Sequence, residues 1–319
     1  MPLAVAYSIE EAARLAPRAS AVTLGVFDGV HRGHRRIIDE TVALREAGAA
    51  ERAFLLTFDP HPAVVTHSRE APAILTTIEE RLELFSSSAL DGVVVVPFDE
   101  KTARIEYREF IDRYLLTALD MRRLVLGYDC HFGYRRQGSP ERAAGYGRER
   151  GFDVTVVPAV SMGDHVVSST EIRSALRAND LARANALLGH PYLVAGTVVL
   201  GQGRGRDLGF PTANLAPPGP AKLWPPQGVY AVTVVWQGRR FDGMMNVGRA
   251  PTVKGGEPGM EVHLFDFDHT LYGERLLVYC EAYLRAERAF PGLDALIDQL
   301  SADREVARET LAAARSADP

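Results

Sequence analysis

The chain has 319 residues, a formal net charge of −5 and no apolar stretch long enough to span a bilayer. That length accommodates two domains. The negative balance argues against a nucleic-acid partner, which needs a basic surface, and no membrane partner is expected. The N-terminus lacks the basic-then-apolar layout of a signal peptide, and Cys130 and Cys280 stand in no metal spacing, so reduced thiols in a cytosolic protein are expected.

Up to about residue 187, strand-like runs at Val22–Phe27, Ala53–Phe58, Val93–Val96, Leu124–Gly127 and Val154–Val157 alternate with helix-like stretches. The helical stretches include Arg35–Ala47, Thr76–Ser88 and Tyr107–Leu119. Such alternation predicts an α/β domain over residues 1–187, with a parallel sheet covered on both faces. Gly189-His190-Pro191 marks the joint, since proline disfavours helix in the residue before it. From Tyr192 the β-rich runs follow one another: Val194–Leu200, Val229–Trp236, Arg240–Val247, Glu261–Phe267 and Leu276–Tyr283. These predict an antiparallel sheet or small barrel over residues 188–319. One amphipathic helix closes the chain, its buried face marked by Leu293, Leu296, Ile297 and Leu300.

Gly25-Val-Phe-Asp-Gly-Val-His-Arg-Gly-His34 joins the first long strand to the first helix. A glycine-bearing loop at a helix N-terminus gathers backbone N–H groups and the positive end of the helix dipole, which suits a phosphate. His31 and His34 are three apart and can share a helical face, and Gly33 puts no side chain between them. No Gly-Lys-Ser/Thr dipeptide occurs, so a Walker-type loop is excluded. Two more special loops follow strands of the same predicted sheet. They are Thr57-Phe-Asp-Pro-His-Pro62 and Gly127-Tyr-Asp-Cys-His-Phe-Gly133. Ligands bind beyond the carboxyl ends of such strands.

The second half carries Gly201-Gln-Gly-Arg-Gly-Arg-Asp-Leu-Gly-Phe-Pro-Thr-Ala-Asn214. Gly203 and Gly209 permit a close approach of backbone to ligand. Pro211 fixes the backbone before Thr212, and Thr212 and Asn214 offer hard oxygen donors two residues apart, as Mg²⁺ with a nucleotide needs. Read alone, the stretch fits a hairpin loop with an Asx turn equally well. By its residues alone, Glu261 ranks no higher than Asp266 or Asp268.

The His-Xaa-Gly-His pattern resembles the signature of the nucleotidyltransferase superfamily, and its longer form resembles the FAD synthetase branch. Ser168-Ser-Thr-Glu-Ile-Arg173 is similar to the Ser-Ser-Thr-Xaa-Ile-Arg motif of that branch, besides being a good helix cap. Pro211-Thr-Ala-Asn214 resembles the riboflavin kinase signature. So do Met260-Glu-Val-His-Leu-Phe-Asp-Phe267, Leu271-Tyr-Gly273, Tyr283-Leu-Arg-Ala-Glu287 with Phe290, and Asn246-Val-Gly-Arg-Ala-Pro-Thr252. In the last, Ala250 stands where the family carries arginine. Taken together, the chain resembles the bacterial bifunctional riboflavin kinase/FAD synthetase family over nearly its whole length.

The resemblance implies a Rossmann-like nucleotidyltransferase domain followed by a β-barrel kinase domain with a C-terminal helix. Riboflavin, FMN and ATP are the implied substrates, FAD the product and Mg²⁺ the metal, held by Thr212 and Asn214. It implies ATP contacts from Gly25, Phe27, Asp28, Gly33, Ser168, Ser169 and Thr170, with His31, His34 and Arg173 on the phosphates. Phe58, His61, Pro62, Asp129 and Phe132 are implied at the FMN of the adenylylation site. Gly203, Gly209, Pro211, Asn246 and Arg285 are implied at the kinase site, with Glu261 as its base. Cys130 replaces an expected Phe.

The two reactions differ in their needs. A neutral riboflavin hydroxyl needs a proton acceptor as it attacks a γ-phosphate. The phosphate of FMN, with a second pKa of about 6, is already anionic. Its attack on the α-phosphate of ATP needs charge stabilisation and no base. Two rival readings are a transferase with only the first domain active and a flavin sensor without turnover.

Overall fold

The computed structural model describes residues 3–66, 72–201, 205, 208–216, 219, 221–249 and 258–317. The chain divides into two compact units, 1–169 and 170–319.

In the first unit, β-branched and apolar runs build six parallel strands in the order β1-β4-β3-β2-β5-β6. They are β1 (Ala4–Ala6), β2 (Ser20–Leu24), β3 (Arg52–Asp59), β4 (Gly92–Pro97), β5 (Met121–Gly127) and β6 (Asp153–Val157). Helices α1 (Arg32–Glu46), α2 (Pro62–Val65), α3 (Ile78–Ser86), α4 (Tyr107–Phe110) and α5 (Pro140–Arg150) connect them. The predicted Tyr107–Leu119 helix is α4 running on into π turns over Ile111–Thr117. A two-stranded hairpin, β7 (Ser161–Met162) and β8 (His165–Val166), precedes the end of the unit. All five residues of β2 and the central six of β3 are buried, as expected for a sheet covered on both faces. The core packs Phe54, Leu56, Val94, Ile111, Leu115 and Leu124 together. β2 lies between β3 and β5, so the chain reverses direction across the sheet there. The crevice of such a sheet opens at that switch, beyond the carboxyl ends of β2 and β5. The first long strand stops at Leu24, short of the expected Phe27, because Phe27 turns out with φ +55° and packs its ring on Phe85.

The second unit carries α6 (Ser169–Arg177, whose first residue ends unit one) and α7 (Leu181–Leu188). A closed barrel of antiparallel neighbours follows, in the order β10-β13-β12-β11-β14-β9. Its strands are β9 (Tyr192–Val199), β10 (Ala213–Leu215), β11 (Gly228–Trp236), β12 (Arg239–Arg249), β13 (Pro258–Leu264) and β14 (Arg275–Arg285). β10, too short to predict, pairs with both β9 and β13 and so closes the ring. The predicted Glu261–Phe267 strand ends at Leu264, and Asp266 turns the chain with φ +53°. α8 (Leu293–Ala317) is the C-terminal helix. Of its expected apolar face, Ile297 and Leu300 pack against the core of Phe210, Ala231 and Phe265, where Ala307 and Leu311 are fully buried, while Leu293 is 65% exposed.

The division at 169/170 groups α7 with the barrel, whereas the sequence reading put it before a joint at 187/188. Asn185 supplies the physical tie. Its Nδ2 donates to the carbonyls of Cys280 (2.9 Å) and Glu281 (3.3 Å) on β14, and its Oδ1 accepts from the N–H of Tyr192 (2.9 Å). Asn185→Ala removes these three hydrogen bonds. We expect it to lower the urea-unfolding free energy of the barrel unit by about 1–3 kcal/mol, followed by barrel tryptophan fluorescence.

Candidate active sites

In the first unit the Gly25–His34 loop leaves β2 and enters α1. His31 caps that helix: the N–H of His34 donates to His31 Nδ1 (3.3 Å), which leaves the neutral ring's proton on Nε2. The two imidazoles stack with centroids 3.6 Å apart and planes 17° apart, and Phe27 meets His34 edge-on at 5.2 Å. A Cβ at Gly33 would lie 3.2 Å from the His31 ring, a tight contact that glycine avoids. His34 Nδ1 is buried with no hydrogen-bond partner among the described residues. Burial, then the neighbouring His31 and Arg81, hold the His34 pKa well below its ordinary value.

The Asp28 carboxylate faces inward. It accepts from the N–H groups of Leu75 (2.8 Å) and Thr76 (2.9 Å), and the N–H of Gly29 donates to Thr76 Oγ1 (2.8 Å). Asp28 therefore fastens the loop to the start of α3. Ser169 Oγ donates to the Asp28 carbonyl (2.8 Å), which brings the Ser168-Ser169 segment onto the same loop. Thr170 is exposed, and Arg173 on α6 is buried.

Phe58 and Phe132, expected beside a flavin, pack in the core of this unit, each against Phe110 with centroids 6.0 Å apart. His61 caps α2, its Nδ1 accepting from the N–H of Ala63 (3.1 Å), and Pro62 is the first residue of that helix. Asp129 is exposed on the loop after β5. Cys130 takes the position of the usual Phe by packing on the same core, where burial pushes its thiol up to about 12. Neither cysteine is in a disulfide.

One residue that sequence reasoning passed over sits at the base of this site. Arg81, on α3, is 2% exposed. Its Nη1 donates to the Val26 carbonyl (2.7 Å) and Thr57 Oγ1 (2.8 Å), and its Nη2 donates to the Phe58 carbonyl (3.0 Å). Asp59 lies 3.6 Å from it. Burial raises the Asp59 pKa despite that cation.

In the second unit a cavity of about 630 Å³ opens on one side of the barrel. That volume is in the range of small-molecule sites. Barrel register decides what lines it. Glu261 pairs with Asn214 on one side and Asn246 on the other, Asn246 pairs with Val229, and Val229 pairs with Arg285. Directly paired residues share a face of the sheet. Thr212 Oγ1 donates to Glu261 Oε2 at 3.4 Å. Asn214 packs so tightly on Gly201 that a Cβ at Gly201 would overlap its amide. Asn246 Nδ2 donates to Glu287 Oε1 (3.0 Å). Leu293, Leu296 and Leu300 of α8 form the apolar wall, together with Phe290 and Met244.

Arg285 also lines the cavity, yet its guanidinium is clamped by the buried Asp303 of α8 through Nε (2.9 Å) and Nη2 (2.5 Å). His263, another residue the sequence reading did not single out, lines it too, its Nδ1 donating to the Pro211 carbonyl (2.7 Å). Burial lowers its pKa, so the ring is neutral with a bare Nε2. Gly209 makes the left-handed turn before Phe210 and Pro211. Gly203 and the Ala250–Thr252 end of the Asn246 motif lie outside the described residues.

Among the described residues no cluster of three or more His, Cys, Asp or Glu could hold a metal by itself. Thr212 and Glu261 bring a hydroxyl and a carboxylate oxygen together in the cavity, and Asn214, paired with Glu261 but not lining the cavity, adds an amide beside them, donor types that Mg²⁺ takes when phosphates complete its shell.

A family model for FAD synthetase matches residues 14–171, and one for riboflavin kinase matches residues 188–311. The bifunctional riboflavin kinase/FMN adenylyltransferase of Escherichia coli strain K12 is 38% identical over 298 residues, covering 92% of this chain and 94% of that protein. The chain belongs to the bifunctional riboflavin kinase/FMN adenylyltransferase family. Its Bacillus subtilis strain 168 relative of the same name is 33% identical over 296 residues, covering 90% and 91%. A solved structure described as a macrolide-efflux protein from Streptococcus pneumoniae superposes with a TM-score of 0.81 at 29% identity, covering 97% of this chain and 99% of that one. No helix among the described residues is long and apolar enough to cross a membrane. The enzyme thus phosphorylates riboflavin and adenylylates FMN, with ATP as substrate of both steps. That sets aside the flavin-sensor and single-activity readings.

The depressed His34 pKa has a measurable consequence. Folding favours the neutral ring, so this contribution to stability is complete above the ordinary value of 6.5. It is lost as the pH falls from there toward the folded value, because the unfolded chain takes up the proton first. Urea midpoints of the first unit should decline on acidification from about pH 7.5 to about pH 5. His34→Ala should flatten that decline.

Proposed function

We propose that the barrel cavity carries the kinase step and the Gly25–His34 loop the adenylylation step. The observation that carries the kinase assignment is the row Asn214, Glu261, Asn246 on adjacent strands, with Thr212 Oγ1 3.4 Å from the Glu261 carboxylate. Glu261 accepts the proton of the riboflavin 5′-hydroxyl as that oxygen attacks the γ-phosphate of ATP, and FMN and ADP result. The α8 leucines and Phe290 receive the apolar flavin. Clamped by Asp303, Arg285 braces the flavin end of the cavity and does not reach for phosphate. Thr212 and Asn214 would hold Mg²⁺ with the phosphates. When bound, the metal neutralises charge on the triphosphate.

At the other site a phosphate oxygen of FMN attacks the α-phosphate of a second ATP, giving FAD and pyrophosphate. The α1 N-terminus and His31 and His34 hydrogen-bond the phosphates. His34, neutral at physiological pH, acts there as a donor and not as a cation. Arg173 supplies fixed positive charge. Ser168, Ser169 and Thr170 support the triphosphate, while the loops bearing His61, Pro62 and Asp129 flank the FMN. Phe58 and Phe132 serve that site from beneath, as core residues that set the loop bases. A cytosolic place goes with this reading.

Incubation with riboflavin, ATP and Mg²⁺ followed by chromatography tests the division of labour. Glu261→Gln should cut FMN formation by about 10²–10⁴-fold and leave adenylylation of supplied FMN intact. His34→Ala should do the reverse, so that FMN accumulates while FAD output falls about 10²-fold. Parallel loss of both activities in either variant would sink the assignment. A C-terminal fragment that begins at α6 and keeps α7 with the barrel should retain more kinase activity than one that begins at residue 188.

A further inference from the structure

The loop after β2 and the loop after β3 come from different strands, yet adenylylation requires them to present ATP and FMN to each other in one geometry. Arg81 is the side chain that holds both. Its guanidinium takes the Val26 carbonyl from the first loop and the Phe58 carbonyl and Thr57 hydroxyl from the second, at 2.7, 3.0 and 2.8 Å. Thr57 Oγ1 also donates to the Val26 carbonyl (3.1 Å), so the two strand ends and the guanidinium form one closed network. The same segment of chain fastens the first loop a second time, through Leu75 and Thr76 to Asp28.

Electrostatics give Arg81 a second task. Three carboxylates act on its charge: Asp59 at 3.6 Å and, through the field, Asp28 and Glu80. Both substrates of this step are polyanions. Without the guanidinium the floor of the site would present uncompensated negative charge to a triphosphate. Arginine suits the place because its planar fork spans three acceptors at once and keeps its proton when buried.

We propose that Arg81 is the positioning residue of the adenylylation site, locking the ATP-side and FMN-side loops into one unit and neutralising the carboxylates beneath them. The inference rests on placing adenylylation at the Gly25–His34 loop. All of the hydrogen bonds and the ion pair drawn for Arg81 lie within the first unit, so the kinase activity of the same polypeptide serves as an internal control for folding.

Arg81→Met removes fork and charge, and Arg81→Lys keeps the charge without the fork. For Arg81→Met we expect kcat/KM for adenylylation of supplied FMN to fall about 100-fold, the cost of loops displaced by about an ångström, with riboflavin phosphorylation within about twofold of wild type. Arg81→Lys should lose about tenfold in adenylylation alone. His34, which faces His31 and Arg81, gives a spectroscopic reading of the same change. Its imidazole pKa, followed by NMR, should rise in Arg81→Met and stay near the wild-type value in Arg81→Lys. Wild-type adenylylation in Arg81→Lys overturns the clamp, whether or not Arg81→Met folds. Equal loss of both activities in Arg81→Lys reduces the residue to a core support and overturns it as well. His34→Ala run alongside separates the two claims. If that variant still makes FAD, the site assignment fails; if it does not and Arg81→Lys does, only the role of Arg81 fails.

Discussion

Strand register is the constraint on which both sites depend. In a closed ring of short antiparallel strands a slip of one residue would carry Glu261 to the opposite face of the sheet, away from Thr212 and the cavity. β10 is only three residues long, yet its pairing with β9 and β13 removes the last free edge and fixes that register. The parallel sheet imposes the same discipline with different means. There the strands set where each loop begins, and buried side chains such as Asp28 and Arg81 set how each loop leaves.

The two catalytic problems have been solved by unlike surroundings. The barrel cavity offers an apolar wall and a carboxylate with a hydroxyl beside it, an arrangement suited to an uncharged ring system with one reacting alcohol. The sheet edge offers a helix start, stacked neutral imidazoles and backbone donors, which suit substrates that already carry the nucleophilic charge. On the proposed assignment, the contrast follows from the protonation state of the attacking group, which asks for a base in one half only.

Much of this was legible in the residues. Alternating runs gave the parallel sheet, and uninterrupted β runs gave the barrel. Spacing brought His31 and His34 to one face, where they stack. What escaped had physical reasons. β1 and β10 are three residues each, too short for any period to show. The inward turn of the Asp28 carboxylate was hidden, because a sequence does not show that backbone donors 47 residues on will meet it. That Phe58 and Phe132 pack in the core was not visible either, because an aromatic residue next to a special loop looks the same whether it faces solvent or core. Arg81 and His263 carry no local signal at all, since their partners are brought to them by the fold. Leu293 belongs to an apolar stripe, and the stripe does not reveal that its first turns face a cavity.

The wall of the flavin cavity has a consequence for how the enzyme comes into being. Its apolar side is furnished by Leu293, Leu296 and Leu300, and its clamp by Asp303, all on the last helix of the chain. A ribosome delivers the parallel sheet and the Gly25–His34 loop long before it delivers those residues. Domains generally fold in order of emergence, so the sheet unit can form while the barrel cavity still lacks the wall and clamp that α8 brings to it.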